Sequence, residues 1–414
     1  MTIEQQSGKR YLGMDIHRDY AVVVGVSAPN QIVMSARRIE YGKLKDWMRA
    51  NLQSGDEVAI EATMNTWTIY DQTTPDVARV VVADARKVDL IAKAAVKTDA
   101  RDALQLANLL AANLLSSVWV PPPPVRELRK LVAHRTALVK RRTMAINRVR
   151  SILNEHTLEQ PKDLLKSDDW QAIVQPQVTH TDWLVIQDDL ASIRQYKTSI
   201  IKTEAELARL SNTDVWREQA AQVMQVAGFG IVHGMSALGA IGDIRRFGHA
   251  DELASYSGLC PRQHQSGQKD ERGRISKEGR RDFRHALVQA AKRAIRDDVY
   301  WKAEHARLSK RMSSQKAVVA IARKFAVILW HVLSKHEGCK SASDERLAQR
   351  FSTLRGWLSR HGIAVLPNPY FVRQRLEMLG RAPSMTRFTY GGDQRRIATA
   401  DQLSEYLTTH PQTP

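Results

Sequence analysis

Short apolar runs separated by polar turns dominate the first hundred residues. Tyr11–His17 (YLGMDIH) and Ala21–Ser27 (AVVVGVS) predict two paired strands, with HRDY as the turn between them. Gln31–Glu40 (QIVMSARRIE) predicts a third strand. Leu44–Leu52 (LKDWMRANL) has helical spacing, and Asp56–Thr63 (DEVAIEAT) and Val77–Asp84 (VARVVVAD) read as strands. Residues 85–94 (ARKVDLIAKA) and Arg101–Leu115 then read as helices.

Four consecutive prolines, Pro121 to Pro124, interrupt this texture and predict a stiff extended spacer. From Val125 to about His156 there is no Gly or Pro. Leu128, Leu131, Val132, Leu138, Ile146, Val149 and Leu153 recur at helical intervals, which predicts one long helix. A second long helix is expected from about Trp183 to Leu210, paired antiparallel with the first as a coiled-coil arm. Residues 157–180 carry no clear pattern. Beyond Gln222 the chain is rich in small residues and helical, and Gly228-Phe229-Gly230 suits a tight hairpin between helices. Residues 246–259 read as a helix. Pro261–Gly279 (PRQHQSGQKDERGRISKEG) reads as a polar loop in which Ser276 caps the next helix. Arg280–Asp297 and Ser313–Lys335 read as two closing helices. Residues 340–414 are mixed and polar, and the expectation is loose folding with no assignable role. The resulting organisation is 1–120, 121–215, 216–338 and 339–414.

Composition adds charge. The 414 residues carry a net charge of +18, and it is localised. Residues 121–150 hold nine Lys/Arg against Glu127 alone, and residues 261–324 hold eighteen against seven acids. Two concentrated blocks point to surfaces that face phosphates. The candidate contacts are Arg129, Lys130, Lys140, Arg141, Arg142 and Arg148 in the first block. In the second they are Arg262, Lys269, Arg272, Arg274, Lys277, Arg280, Arg281 and Arg284. Cys260 and Cys339 match no metal-ligand spacing, nor do His134, His264 and His285. The N-terminus lacks the apolar segment of a signal peptide, and no run of about 18 apolar residues stands out. A cytoplasmic protein without a membrane span is the expectation.

Four acids carry the chemistry. Asp15 and Glu61 each follow an apolar strand, and Asp99 and Asp102 share one face at the start of a helix. Taken singly, each is as readily a turn residue or a helix cap. Together, in a basic chain, they form an oxygen-rich set that suits Mg²⁺ or Mn²⁺ and the phosphoryl transfer such ions support. Three meandering strands, a helix, a strand, a helix and a further strand also describe the ribonuclease H type of fold, with acids on its first strand, its fourth strand and a late helix. Ser266, between Gln265 and Gly267, offers a hydroxyl that can attack a phosphodiester, although composition alone favours a plain loop serine.

The runs GMDIH, IEAT, KTDARDA, GLCPRQHQSG and GRISKEGRRDFRHAL resemble the DEDD-type transposases of bacterial insertion sequences, relatives of the pilin-gene invertases. The resemblance covers roughly residues 10–336. It implies a ribonuclease-H/RuvC-like α/β domain, a long-helix coiled-coil arm and a mostly α-helical serine-bearing domain. By position, Asp15, Glu61, Asp99 and Asp102 match the metal-binding acidic tetrad, and Ser266 matches the serine that becomes linked to DNA. The resemblance further implies double-stranded DNA partners (element ends and target), a structured guide RNA in some members, and dimers or tetramers in which one subunit's tetrad faces another's serine. Met64 and Ala227 stand where family members often have Gly and Pro, and the segment 71–76 is short for a full helix. The competing readings are a junction resolvase that uses metal-activated water, and a non-catalytic nucleic-acid-binding protein.

Overall fold

The computed structural model describes residues 9–84, 98–266, 269–339 and 342–410, with backbone alone over 263–266 and 269–272. The helix expected over 85–94 lies outside the described residues. The chain divides into two compact units, Met1–Pro121 and Pro122–Pro414.

The first unit is a mixed five-stranded sheet. β1 (Tyr11–Ile16), β2 (Tyr20–Ala28) and β3 (Gln31–Glu40) form an antiparallel meander. α1 (Tyr41–Asn51) leads to β4 (Glu57–Glu61), and α2 (Thr66–Thr73) leads to β5 (Arg79–Ala83). β4 runs parallel to β1 and β5 parallel to β4, in the order β3-β2-β1-β4-β5. Parallel neighbours need crossovers, which the two helices supply. The segment expected to be short for a helix holds the end of α2 and a single 3₁₀ turn, Thr74–Asp76. Arg10 clamps the start of β1 to the turn before β4, with Nε and Nη2 donating to Asp56 Oδ1 and Oδ2 at 2.8 and 2.6 Å.

Strand alternation sorts the side chains onto two faces. Leu12, Met14, Val58, Ile60 and Val82 pack with Leu44, Met48 and Ile69 of α1 and α2. The other face lies under α3 (Asp99–Ala111), whose Leu106 and Leu110 cover Ala59, Val81 and Ala83, and whose Ala103 meets Val22 and Val24.

The second unit opens on α4 (Pro123–Glu155). The spacer expected from four prolines is therefore only half extended, since Pro123 and Pro124 sit in the first helical turn. Proline is tolerated there because the first amides of a helix have no intrahelical acceptor and its fixed φ already suits the helix. α5 (Asp169–Val174) follows, then α6 (His180–Ser211). Ion pairs Arg135–Glu204, Arg148–Asp189 and His156–Asp182 run down one helix as they run up the other, so α4 and α6 pack antiparallel. Val149, Ile152 and Leu153 bury against Ile186, Leu190 and Ile193.

Next come α7 (Arg217–Met224), α8 (Ile231–Ile241), α9 (Ala250–Tyr256), β6 (Pro261–Ser266) and β7 (Lys269–Ile275). α10 (Arg281–Asp297), α11 (Val299–Ser309) and α12 (Ser314–Lys335) close this part. Between α7 and α8, Gly228 has φ of +80°, and a β-carbon there would lie 1.9 Å from the Ala290 carbonyl oxygen. α12 is long and apolar enough to cross a membrane by length and composition, a test that a buried core helix also passes, and Arg323 and Lys324 interrupt its apolar residues. Its Ala317, Ile321, Phe325, Leu329 and Val332 are buried inside the unit. Cys260 and Cys339 are free thiols.

The C-terminal residues depart furthest from expectation. α13 (Asp344–Arg360), α14 (Asn368–Met378), β8 (Arg387–Tyr390), β9 (Asp393–Arg396) and α15 (Ala400–Thr409) share a core of Leu347, Phe351, Leu358, Phe371, Leu376, Phe388 and Leu403, joined by Ala208, Ala221 and Met224. The polar look of this stretch arises partly from buried arginines. Arg373 is 1% exposed and donates to the carbonyls of Ala398, Ala382 and Met385. Arg375 donates to Asn212 Oδ1, and burial pulls its pKa down to about 9.

Candidate active site

Gly13, Asp15, Ala59 and Glu61 belong to the sheet face beneath α3, by the same alternation that sends Leu12, Met14 and Ile60 to the other face. Asp15 and Glu61 each lie one residue past the Met14–Ile60 pair, so they are side by side at the carboxyl ends of β1 and β4. α3 is capped by Thr98, whose side chain accepts from the Arg101 amide, and its first turn holds Asp99 and Asp102. Acids there favour the helix dipole, which offsets part of the cost of assembling them.

Asp15 is only 7% exposed. Burial raises its carboxyl above the usual aspartate range; His17 works against this, while the charges of Asp102 and Asp99 add to it. His17 Nε2 sits 3.0 Å from Asp15 Oδ2 and 3.2 Å from Asp99 Oδ2. This nitrogen is buried between the two carboxylates without a well-formed hydrogen bond to either. Tyr20 donates its hydroxyl to Asp99 Oδ2 at 2.9 Å, and that bond raises its own pKa. One ligand atom each from Asp15, His17 and Asp99 falls within 4.8 Å of the others. Two carboxylate oxygens and the imidazole nitrogen between them fit a divalent cation, and a cation would relieve the mutual repulsion of the acids.

Of the four acids, the structure thus joins Asp15 and Asp99 directly, sets Asp102 where its charge acts on Asp15, and places Glu61 beside Asp15 by register. His17 and Tyr20 were missed because HRDY reads as a turn. The available signal was Asp15-x-His17: residues two apart at a strand end share a face.

Ser266 ends β6 opposite Lys269, the first residue of β7. The expected polar loop is therefore a β-hairpin. Its strands lack apolar alternation, so backbone pairing alone marks them. The side chains of Ser266, Lys269 and Arg272 lie outside the described residues. At the foot of the hairpin, the Ser276 amide donates to the Cys260 carbonyl and Arg262 Nη2 donates to the Ser276 carbonyl at 3.3 Å. Ser276 is not a helix cap. α10 begins only at Arg281, because Lys277 takes a positive φ and Gly279 is pressed against the Tyr256 carbonyl, 1.9 Å from where its β-carbon would stand. A cavity of about 810 Å³ opens here, lined by Tyr256, Cys260, Arg262 and Glu278 among others.

The basic candidates differ in availability. Lys130, Lys140, Arg141, Arg274, Lys277 and Arg281 are exposed, and Arg142 is half-buried. Arg129 instead donates to the Gly239 and Ala240 carbonyls, and burial pulls its pKa down to about 10. Arg148 pairs with Asp189, Arg280 with Asp282, and Arg284 donates to the Ser257 carbonyl. Arg262 lies 3.7 Å from Glu278.

Residues 12–157, which contain all four acids, match the DEDD transposases of the IS110 type, and residues 220–307, which contain Ser266, match the transposase IS116/IS110/IS902 family. The chain belongs to the DEDD-type insertion-sequence transposases. This transposase is 26% identical over 253 residues to the transposase for insertion sequence element IS1111A of Coxiella burnetii, covering 58% of this chain and 68% of that one. It is 27% identical over 248 residues to a probable family 20 transposase of Pseudomonas aeruginosa, covering 58% and 72% of the two chains. It is also 27% identical over 244 residues to the pilin gene-inverting protein of Moraxella bovis, covering 58% and 67%. The transposase is a DNA strand-cleaving and strand-joining enzyme. Residues 308–414 lie beyond both matched families.

Proposed function

We propose that this transposase moves its element by site-specific recombination, through a covalent serine–DNA intermediate and a divalent metal held by the acidic cluster. The observation that carries the metal assignment is the convergence of Asp15, His17 and Asp99, whose ligand atoms lie within 4.8 Å of one another. Asp15, Asp99, Asp102 and Glu61, with His17, would hold Mg²⁺ or Mn²⁺. When bound, the cation supplies positive charge that neutralises the cluster and polarises the scissile phosphate. Tyr20 holds Asp99 in place through its hydroxyl.

The Ser266 oxygen attacks the phosphorus. As the hydroxyl gives up its proton a serine oxygen–phosphorus bond forms, the bond from phosphorus to the 3′ oxygen breaks, and that oxygen takes up one proton to leave as a 3′-hydroxyl. The DNA end remains as a 5′-phosphoserine, which conserves the bond for rejoining. The order β3-β2-β1-β4-β5 supports a ribonuclease-H/RuvC-like assignment for residues 1–120. The antiparallel α4–α6 pair supports a coiled-coil arm that mediates dimers or tetramers. Exposed lysines and arginines on α4 and around α10 leave room for duplex DNA and for a structured guide RNA. The site of action in this reading is the bacterial cytoplasm.

A DNA substrate gapped to prevent rejoining tests the proposal. Protein should accumulate on a cleaved 5′ end, linked at Ser266, and Ser266→Ala should lose both adduct and recombination. Free 5′-phosphate ends from an active Ser266→Ala enzyme would overturn it in favour of resolvase-type hydrolysis by activated water.

A further inference from the structure

We propose that the C-terminal hairpin β8–β9 is a further DNA-binding element of this transposase, in which Arg387 and Arg396 contact backbone phosphates of duplex DNA. The proposal rests on the chain being a DNA transposase, and not on the serine chemistry.

Most arginines of this region are committed to acceptors within the fold. Arg346, Arg350, Arg355, Arg373, Arg375 and Arg381 each donate to an acidic side chain, an amide oxygen or a carbonyl elsewhere in the chain. Arg360 donates to a carbonyl of its own helix. Arg387 and Arg396 have no such acceptor among the described residues, and both are exposed. They are also direct cross-strand partners, Arg387 opposite Arg396. Like charges in that position repel, so a hairpin that holds them together is at a disadvantage until an anion sits between or above them.

The hairpin holds them firmly. Gly391 and Gly392 have φ of +65° and +91°, the two left-handed positions of a tight two-residue turn, which pins the register. Phe388 is 2% exposed and anchors β8 in the core. The Thr389 amide donates to Glu345 Oε1 at 3.0 Å, and its carbonyl accepts from Gln349 Nε2 at 2.7 Å. Arg395, the third exposed arginine, lies over the Tyr390 ring, 4.3 Å from its centre. Asp393, beside the turn, is the acid within β9 itself.

Charge selects the occupant: three exposed arginines on the hairpin against Asp393 alone. Tyr390 and Gly391 at the tip border a cavity of about 750 Å³ that is also lined by Gly228, Gly230 and Arg293. Arg293 belongs to α10, within the basic block over 261–324. Glu204, Asp297 and Asp298 line it as well, so that cavity is mixed in charge, and it is the arginine pair at the other end of the hairpin that carries the proposal. A two-stranded ribbon also has the dimensions to follow a duplex groove.

Binding of a random-sequence duplex by the full-length protein, measured by fluorescence anisotropy across a salt series, tests this without any cleavage. Arg387→Ala/Arg396→Ala should weaken binding of all sequences alike. The dependence of log affinity on log salt should become shallower by about two units, close to one per lost phosphate contact. Arg387→Lys/Arg396→Lys should keep the steeper slope. The thermal midpoint of the alanine variant should be unchanged or slightly raised, because a like-charge pair is removed. An unchanged slope and affinity for duplex DNA would overturn the proposal. So would a loss confined to structured RNA, measured in parallel with duplex binding intact.

Discussion

A β-carbon on Gly13 would lie 1.9 Å from the carbonyl oxygen of Ala103. This contact lets α3 settle directly on β1, and it is what brings the helix's first turn to Asp15. The acidic cluster is therefore built by a residue that carries no charge. Gly13→Ala should push α3 away from the sheet and separate Asp99 and Asp102 from Asp15. Overpacking against backbone should cost at least about 1–3 kcal/mol of stability. Chemical denaturation and a cleavage assay on the same variant check this; a stable, fully active Gly13→Ala enzyme would show that the close approach is dispensable.

Asp102→Asn should abolish strand cleavage and leave folding and most duplex binding intact, because it removes a charge and little volume. Cleavage in Mg²⁺ or Mn²⁺, with wild type in excess chelator as the reference, is the measurement. Cutting at the wild-type rate in either case would remove the acids from the chemistry.

His17→Ala separates a ligand from a bystander. If the imidazole helps hold the cation, the variant should need roughly tenfold more Mn²⁺, or more, for half-maximal cleavage, and saturating metal should restore much of the rate. An identical metal titration would assign His17 a purely packing role against Tyr20, whose ring centre is 4.6 Å away.

Arg148 has a structural partner in Asp189, a carboxylate that is 1% exposed on α6. Arg148→Ala leaves that buried charge unpaired and should cost about 1–3 kcal/mol. Asp189→Asn should cost less, because it removes the stranded charge itself. Denaturation midpoints of the two variants and their combination, compared at equal salt, give the order.

His233 on α8 makes stability depend on pH. Burial pulls its pKa down to about 4, and the charges of Arg135, His285 and Arg293 press the same way. In the unfolded chain it takes up a proton near pH 6.5. Between those values the unfolded state binds more protons, so stability falls as the pH drops from about 6.5 to 4, by on the order of 3 kcal/mol. His233→Gln should flatten that part of the curve. Equal slopes for the two proteins in denaturation series at pH 7 and pH 4.5 would exclude the effect. His285, whose pKa is also lowered by burial, adds a dependence of the same sign.

Much of the first unit is legible from local pattern alone. β1, β2, β4 and β5 are apolar runs bounded by polar turns, and a strand's period of two decides which residues share a face. Asp15 and Glu61 therefore emerge at matching strand ends, and Asp99 and Asp102 at a helix start, without any knowledge of contacts. The two long helices and the basic blocks follow from periodicity and charge in the same way. Only tertiary structure decided that His17 and Tyr20 join Asp99, since neither can meet it until α3 arrives. Pairing of polar strands turned the serine loop into a hairpin, because backbone hydrogen bonds leave no hydrophobic trace in sequence. The C-terminal core escaped for a related reason. Its arginines look like solvent-facing charge, yet Arg373 and Arg375 are buried by carbonyl and amide acceptors that lie far away in sequence and come together only in the folded chain.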